Sequence, residues 1–182
     1  MEIKNNQSVY WTRLVHEDWK IYVAATEKGL CYVSSQNQPF DELAEWVKNR
    51  LPNHVLIQDD EKLKSYVIEL IEYLQGKRQS FTVPADLHGT PFQLSVWDAL
   101  CKIPYGRTYS YSDIANHIEK PDAVRAVGTA IGANPALITV PCHRVIGKNG
   151  ALTGYRGGLE MKTKLLSLEK ERSNTEGRIT NA

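Results

Sequence analysis

The chain has 182 residues, 42% hydrophobic and 24% charged, values ordinary for a soluble globular protein of one large or two small domains. Its formal charge is 22 − 21 = +1, which alone indicates neither an acidic nor a basic partner. There is no run of about 18 apolar residues and no apolar core in Met1-Glu2-Ile3-Lys4-Asn5-Asn6-Gln7, so neither a membrane helix nor a signal peptide is expected, no membrane partner either, and the chain is placed in the cytoplasm.

Val9 to Leu14 and Lys20 to Ala25 are rich in β-branched and aromatic residues. Glu27-Lys28-Gly29 then turns the chain into Leu30-Cys31-Tyr32-Val33, which predicts a hairpin or meander. Pro39-Phe40-Asp41 opens a helix running to about Arg50, with Phe40, Leu43 and Val47 at helical spacing, and Leu51-Pro52-Asn53 ends it. Val55-Leu56-Ile57 reads as a short strand. Asp59, Asp60 and Glu61 supply negative charge to the start of a second helix, whose stripe Leu63, Val67, Leu70, Ile71 and Leu74 runs up to Gly76. The two aspartates could be metal ligands, but acids at a helix start are the simpler reading.

Between Phe81 and Gly89 the texture changes to proline and small polar residues, which marks a junction. Residues 1–84 read as an α+β domain, residues 85–170 as a second domain, and residues 171–182 as a disordered tail. The charge divides with them: 10 basic against 12 acidic residues through Pro84, net −2, and 12 against 9 after it, net +3. That bias permits a nucleic-acid partner without requiring one.

In the second domain Thr90-Pro91-Phe92-Gln93 is a capping box with proline at the first helical position, and Phe92, Val96, Trp97 and Leu100 face a core. Ser110-Tyr111-Ser112-Asp113 starts a short helix burying Ile114, Ala115 and Ile118. Asp122 is placed as the cap of a further helix from Ala123 to about Ala133. Two short helices joined so tightly suggest a helix-turn-helix. In the second of them Val124, Val127 and Ile131 share one buried sector, while Arg125, Thr129 and Gly132, flanked by Ala126, Gly128 and Ala133, form a face almost bare of side chains. Glycine in a helix costs about 1 kcal/mol relative to alanine, so Gly128 and Gly132 need a reason. Close helix packing is one. A surface lying flush against a nucleic-acid backbone, with Arg125 projecting into it, is the other.

Asn134-Pro135 ends that helix, and Leu137 to Val140 reads as an apolar strand that Pro141 stops, turning the next residues into a pocket. Cys142 follows, with His143 and Arg144 directly after it. A cysteine is a strong nucleophile once it is a thiolate, and a nearby base or positive charge favours that form. A packing cysteine fits the same residues, because free cysteine is among the most buried residue types. The three cysteines, Cys31, Cys101 and Cys142, are odd in number and lack a C-x-x-C spacing, which argues against a disulfide framework and a zinc ribbon. Lys148-Asn149-Gly150 is a hairpin-turn signal after Val145-Ile146-Gly147, and Gly154-Tyr155-Arg156-Gly157-Gly158 is a flexible loop whose amides can approach a ligand. A last helix carries Leu159, Leu165, Leu166 and Leu168. Glu169, near its carboxyl end, opposes the macrodipole and is either partnered or a solvated surface residue.

Pro141-Cys142-His143-Arg144-Val145, preceded by Arg125-Ala126-Val127-Gly128 and Asn134-Pro135, with Ser110-Tyr111 upstream and Tyr155-x-Gly157-Gly158 downstream, resembles the O6-alkylguanine-DNA alkyltransferases. The likeness is dense from about Thr90 to Glu169 and general before it. It implies an RNase H-like α+β domain followed by a winged-helix-like, helix-turn-helix domain. It implies irreversible, single-turnover transfer of an alkyl group from O6-methylguanine, and from O4-methylthymine, to Cys142. His143 would take the thiol proton through a water, Glu169 would hold the imidazole, Tyr111 would donate to the leaving guanine and Asn134 would brace the cysteine turn. Backbone groups at Cys142, Val145 and Arg156, beside Tyr155, would read the base, with Arg156 placing bulk beside the pocket. Ala126, Gly128, Thr129 and Gly132 would meet double-stranded DNA from its minor groove, and Arg125 would fill the gap left by the extruded nucleotide. The resemblance implies a monomer without cofactor. Some relatives bind zinc in the first domain, but no ligand set is evident in this chain. A non-repairing alkylguanine sensor is the alternative, although sensors of that type lack the cysteine. A cysteine hydrolase has no use for the Arg125 face, and a helix-turn-helix regulator would carry base-reading polar side chains on it.

Overall fold

The structure, a computed structural model, describes residues 7–152 and 154–180, without the side chains of 174–180. Strands β1 (Gln7–His16), β2 (Trp19–Thr26), β3 (Gly29–Val33) and β4 (His54–Gln58) form a mixed sheet in the order β3-β2-β1-β4. β1 and β2 pair antiparallel with Tyr10 opposite Ala25, whereas β4 runs parallel to β1 with Val55 beside Ser8. Alternation divides the side chains between two helices, as the two-residue period of a strand requires. Val9, Ala24 and Tyr32, with Cys31 at the irregularity where the β2–β3 register shifts, pack with Leu43, Val47 and Leu51 of α1 (Phe40–Arg50) and the residue after it. Leu14, Ile21, Val23 and Leu30 pack with Leu63, Leu70 and Tyr73 of α2 (Asp60–Leu74). Asp59 caps α2 by accepting from the Lys62 amide at 3.0 Å, so the acids there serve the helix start.

The outer edge of β3 is covered rather than open. The Leu30 amide donates to Pro84 O at 2.9 Å, the Asp86 amide to Leu30 O at 2.8 Å, and the Val33 amide to Pro135 O at 3.0 Å. Both the junction and the segment after the helix-turn-helix thus bond to the sheet, which satisfies an edge that would otherwise template aggregation. One hydrophobic core continues from Leu70 and Tyr73 to Val96, Trp97, Val127 and Val145.

The second domain comprises α3 (Pro91–Cys101), β5 (Tyr109–Ser110), α4 (Tyr111–His117), α5 (Val124–Gly132), a single 3-10 turn (Cys142–Arg144), β6 (Val145–Ile146) and α6 (Leu159–Thr180). Both capping boxes form, Thr90 with Gln93 and Ser110 with Asp113. Trp97 Nε1 donates to Ala130 O at 2.8 Å and locks α3 against α5.

Several expectations change here. Asp122 does not cap α5, whose N-cap is Ala123 without a side-chain bond. Val124 is exposed and Ala130 takes its place in the buried sector with Val127 and Ile131. Leu137 to Val140 is not a strand. Only Ala136 bridges to Val33, and the chain then turns, with Ile138 at φ 70° and the Val140 amide bonded to Ala136 O at 3.0 Å. Its apolar side chains are buried because the turn sits inside the core. Lys148-Asn149-Gly150 does turn, with the Gly150 amide donating to Gly147 O at 2.9 Å and the Gly147 amide to Ala151 O at 2.9 Å, but among the described residues β6 pairs with β5, in parallel, and not with a returning strand. The chain stays helical from Ser173 to Thr180, where the sequence suggests a tail. No proline interrupts that stretch.

Candidate active site

Pro141 ends the buried turn, and the 3-10 turn that follows directs Cys142, His143 and Arg144 inward; their exposures are 3%, 0% and 6%. A guanidinium and an imidazole this deep must find partners, since an unpaired buried charge or polar group is costly. α6 supplies them. Its residues 162, 165 and 169 fall on one side at helical spacing, which brings Lys162 and Glu169 into the interior with Leu165.

Glu169 is the hub. His143 Nε2 lies 2.7 Å from its Oε2, Arg144 Nε donates to Oε1 at 2.8 Å and Arg144 Nη2 to Oε2 at 3.1 Å. The Gly106 amide reaches Oε1 at 3.2 Å, and the Tyr73 hydroxyl donates to Oε2. Burial pushes the carboxyl up, but the hydrogen bonds and charges of His143 and Arg144 overcome it and bring the pKa down to about 2. An ionised carboxylate only accepts, so Nε2 carries the imidazole hydrogen and Nδ1 the lone pair. Nδ1 has no hydrogen-bond partner among the described residues. Burial lowers the His143 pKa, Arg144 and Lys162 add to that, and the Glu169 bond offsets part of it. The imidazole is therefore neutral at neutral pH and able to accept a proton.

Cys142 is braced from the end of α5. Asn134 Nδ2 donates to Cys142 Sγ at 3.2 Å and to Val140 O at 3.0 Å, and its Oδ1 accepts from the Ala136 amide at 3.0 Å. Burial raises the thiol pKa; the Asn134 bond and the positive charges of Arg156 and Lys162 pull it part of the way back. The resting group is a thiol, so a reaction at sulfur must move its proton.

The other expected residues divide between the acceptor side and the α5 face. Tyr155 is half-buried, its hydroxyl is unpartnered among the described residues, and desolvation of that hydroxyl holds its pKa well above the ordinary value. Val145 is buried and its carbonyl accepts from Lys162 Nζ at 2.6 Å. The Arg156 side chain is turned toward the first domain. It donates to Asn134 O at 3.0 Å, Val33 O at 2.9 Å and Pro135 O at 3.2 Å, and pairs with Glu42 at 3.4 Å, so it clamps the loop to the sheet. Tyr111, the first residue of α4, lies beside α5: a Cβ built on Gly128 would stand 3.7 Å from its ring. Arg125, Ala126, Thr129 and Gly132 are exposed along α5. A Cβ on Gly132 would meet nothing within 4 Å, so helix packing does not explain that glycine. A cavity of about 530 Å³ opens behind the acceptor turn, lined by Phe81, Leu87, Ile103, Tyr105, Pro141 and Arg144, but Cys142 is not in its wall. No group of three or more metal-ligating side chains occurs among the described residues, and no described helix is long and apolar enough to cross a membrane.

Residues 9–87 match the family described as 6-O-methylguanine DNA methyltransferase, ribonuclease-like domain, and residues 91–171 match its DNA binding domain. The chain belongs to the 6-O-methylguanine DNA methyltransferase family. The inducible methylated-DNA–protein-cysteine methyltransferase of Bacillus subtilis (strain 168) is 63% identical over 170 residues, covering 93% of this chain and 95% of that protein. The methylated-DNA–protein-cysteine methyltransferase of Methanosarcina barkeri is 42% identical over 152 residues, 82% of this chain and 90% of its own. Among solved structures, Mycobacterium tuberculosis OGT in complex with DNA superposes with a TM-score of 0.78 at 39% identity, covering 90% of this chain and 94% of that one. The α+β fold, with a ribonuclease-like domain and then a helical DNA-binding domain, agrees with the sequence reading, and so does the family. This methyltransferase repairs O6-methylguanine in DNA, as a methylated-DNA–protein-cysteine methyltransferase.

The sequence did not single out Tyr73 or Lys162, and it left Arg144 without a role. For Lys162 a signal existed in its spacing to Leu165 and Glu169. For Tyr73 none did, because it stands 96 residues from its carboxylate partner.

Proposed function

We propose that Cys142 is the acceptor through which this methyltransferase repairs O6-methylguanine, and that each molecule acts once. The observation that carries this is the buried cluster itself: a thiol held by Asn134, next to a neutral histidine whose Nε2 is fixed on an ionised glutamate. The arrangement follows the logic of a nucleophile, base and orienting acid. In the step, Cys142 Sγ forms a bond to the methyl carbon as the bond from that carbon to O6 breaks. The thiol proton passes through a water to His143 Nδ1, and the leaving guanine gains a proton on its ring, with Tyr111 as the donor. The products are S-methylcysteine and guanine. A thioether is not hydrolysed by any group in the cluster, so the acceptor is consumed.

The target methyl is buried in a stacked duplex, so the nucleotide must be extruded, at a cost of a few kcal/mol. Arg125 on a face of Ala126, Gly128, Thr129 and Gly132 suits an approach through the minor groove, the arginine filling the vacated stack. O4-methylthymine offers the same methyl–oxygen bond and is proposed as a second substrate. Action as a monomer is part of the proposal. Three free thiols, Cys31, Cys101 and Cys142, suit the reducing cytoplasm.

The test is to incubate the protein with a duplex containing O6-methylguanine and analyse its peptides by mass spectrometry. A gain of one CH2 on the Cys142 peptide, lost in Cys142→Ala, is expected. Binding without modification would instead identify a damage sensor.

A further inference from the structure

We propose that Tyr73, supplied by the first domain, is a positioning residue for the His143–Glu169 pair of the second. This rests on the reading of His143 as the base for Cys142.

Tyr73 lies in the last turn of α2 and has no exposed surface. Its ring packs against Phe81 at 5.6 Å and Tyr105 at 6.1 Å between centroids, contacts a phenylalanine would make equally well. What the hydroxyl adds is a bond across the domain boundary. It donates to Glu169 Oε2 and lies 3.4 Å from His143 Nε2. A buried hydroxyl must be paired, and this one is paired with the carboxylate that orients the imidazole.

Oε2 thereby takes three donors, from Tyr73, His143 and Arg144. Each draws on the same negative charge and reduces what it offers the others. Among the described residues, the charged and titratable groups around the pair are Tyr73 on α2, Tyr105 on the loop after α3, the Cys142 thiol and Arg144 on the 3-10 turn, and Lys162 on α6. Burial and the Glu169 charge hold the phenol well above its ordinary pKa, so it remains a donor throughout the working range. Its effect is to disperse the Glu169 charge, keeping His143 neutral and the carboxylate in one orientation. The first domain is in this way part of the acceptor site.

The test is Tyr73→Phe, which keeps the ring and deletes the donor. His143 is titrated by NMR without DNA, and single-turnover transfer is measured against pH. With the competing donor gone, His143 holds its proton more tightly, and its titration is expected to rise by about one pH unit. Below the wild-type pKa the neutral fraction falls about tenfold, so transfer slows by about that factor on the acid limb and recovers on the alkaline plateau. Phe81→Leu removes a ring neighbour but not the donor, and is expected to lower thermal stability without moving the limb. An unshifted His143 titration and acid limb in Tyr73→Phe would overturn the proposal. Should that variant not fold, the wild-type hydroxyl proton decides. It is expected as an exchange-protected, downfield resonance that follows the His143 titration, and a resonance indifferent to that titration would overturn it. Absence of methyl on Cys142 in the wild type would defeat the acceptor reading instead, while the titration, read without DNA, still judges Tyr73.

Discussion

Replacing Arg144 with alanine removes three hydrogen bonds at once: two to Glu169, at 2.8 and 3.1 Å, and one to Ile103 O at 2.6 Å. Glu169 is 1% exposed, so the substitution leaves a buried carboxylate without its cation. Breaking such a pair costs about 3–5 kcal/mol, and the donors that remain, Tyr73, His143 and the Gly106 amide, favour the lower end. For a chain of this size that corresponds to a fall in Tm of roughly 6–12 °C. The pH dependence gives a second signature. The Glu169 pKa is depressed in the folded state, to about 2 from 4.5, so its contribution is fully present above the unfolded value and is lost as pH falls through the folded one. The wild type therefore loses about 3 kcal/mol from this group between pH 4.5 and about 2. In Arg144→Ala the folded pKa rises and that window narrows. Urea unfolding from neutral pH down into the acid range measures both effects. A Tm within about 2 °C of wild type and an unaltered acid limb would refute the hub role assigned to Glu169 and Arg144.

Asn134→Ala removes the bonds to Cys142 Sγ, Val140 O and the Ala136 amide, leaving buried groups unsatisfied. It is expected to cost about 1–3 kcal/mol and to slow transfer, as read by urea unfolding and a single-turnover assay. Arg125→Ala should weaken repair in duplex DNA more than transfer from the free methylated base, and equal losses would eliminate the intercalating role. Gly132→Ala should gain up to about 1 kcal/mol of stability, because nothing lies within 4 Å of the added Cβ, while weakening duplex binding. Unchanged affinity there would separate the bare α5 face from DNA contact.

Local chemistry was the readable part of this chain. Thr90 with Gln93 and Ser110 with Asp113 form the capping boxes their spacing predicts, because such bonds close within four residues and need no tertiary help. The misread strand from Leu137 to Val140 shows the opposite case. Four apolar residues satisfy both a strand and a buried turn, and the left-handed Ile138 lies in a turn that Asn134 ties at Ala136 O and Val140 O, which residue propensity does not reveal. Cys142 stood out in the sequence as a thiol directly before a histidine, Asn134 and Glu169 took their roles from the family resemblance, and the fold sets Asn134 on Cys142 and Glu169 on His143. Arg144 remained without a role because its partner lies 25 residues away on α6, and Tyr73 because its partner lies in the other domain. Arg156, expected to crowd the pocket, bonds instead to Val33 O and Pro135 O, partners that only the covered β3 edge brings near.

The central claim is that Cys142 is an acceptor used once. The most direct measurement is guanine restored per protein molecule, with O6-methylguanine duplex in large excess and the methyl group located by peptide mapping. A plateau at one equivalent is expected, with all methyl on Cys142. Continued turnover, or methyl on Cys31 or Cys101, would contradict it.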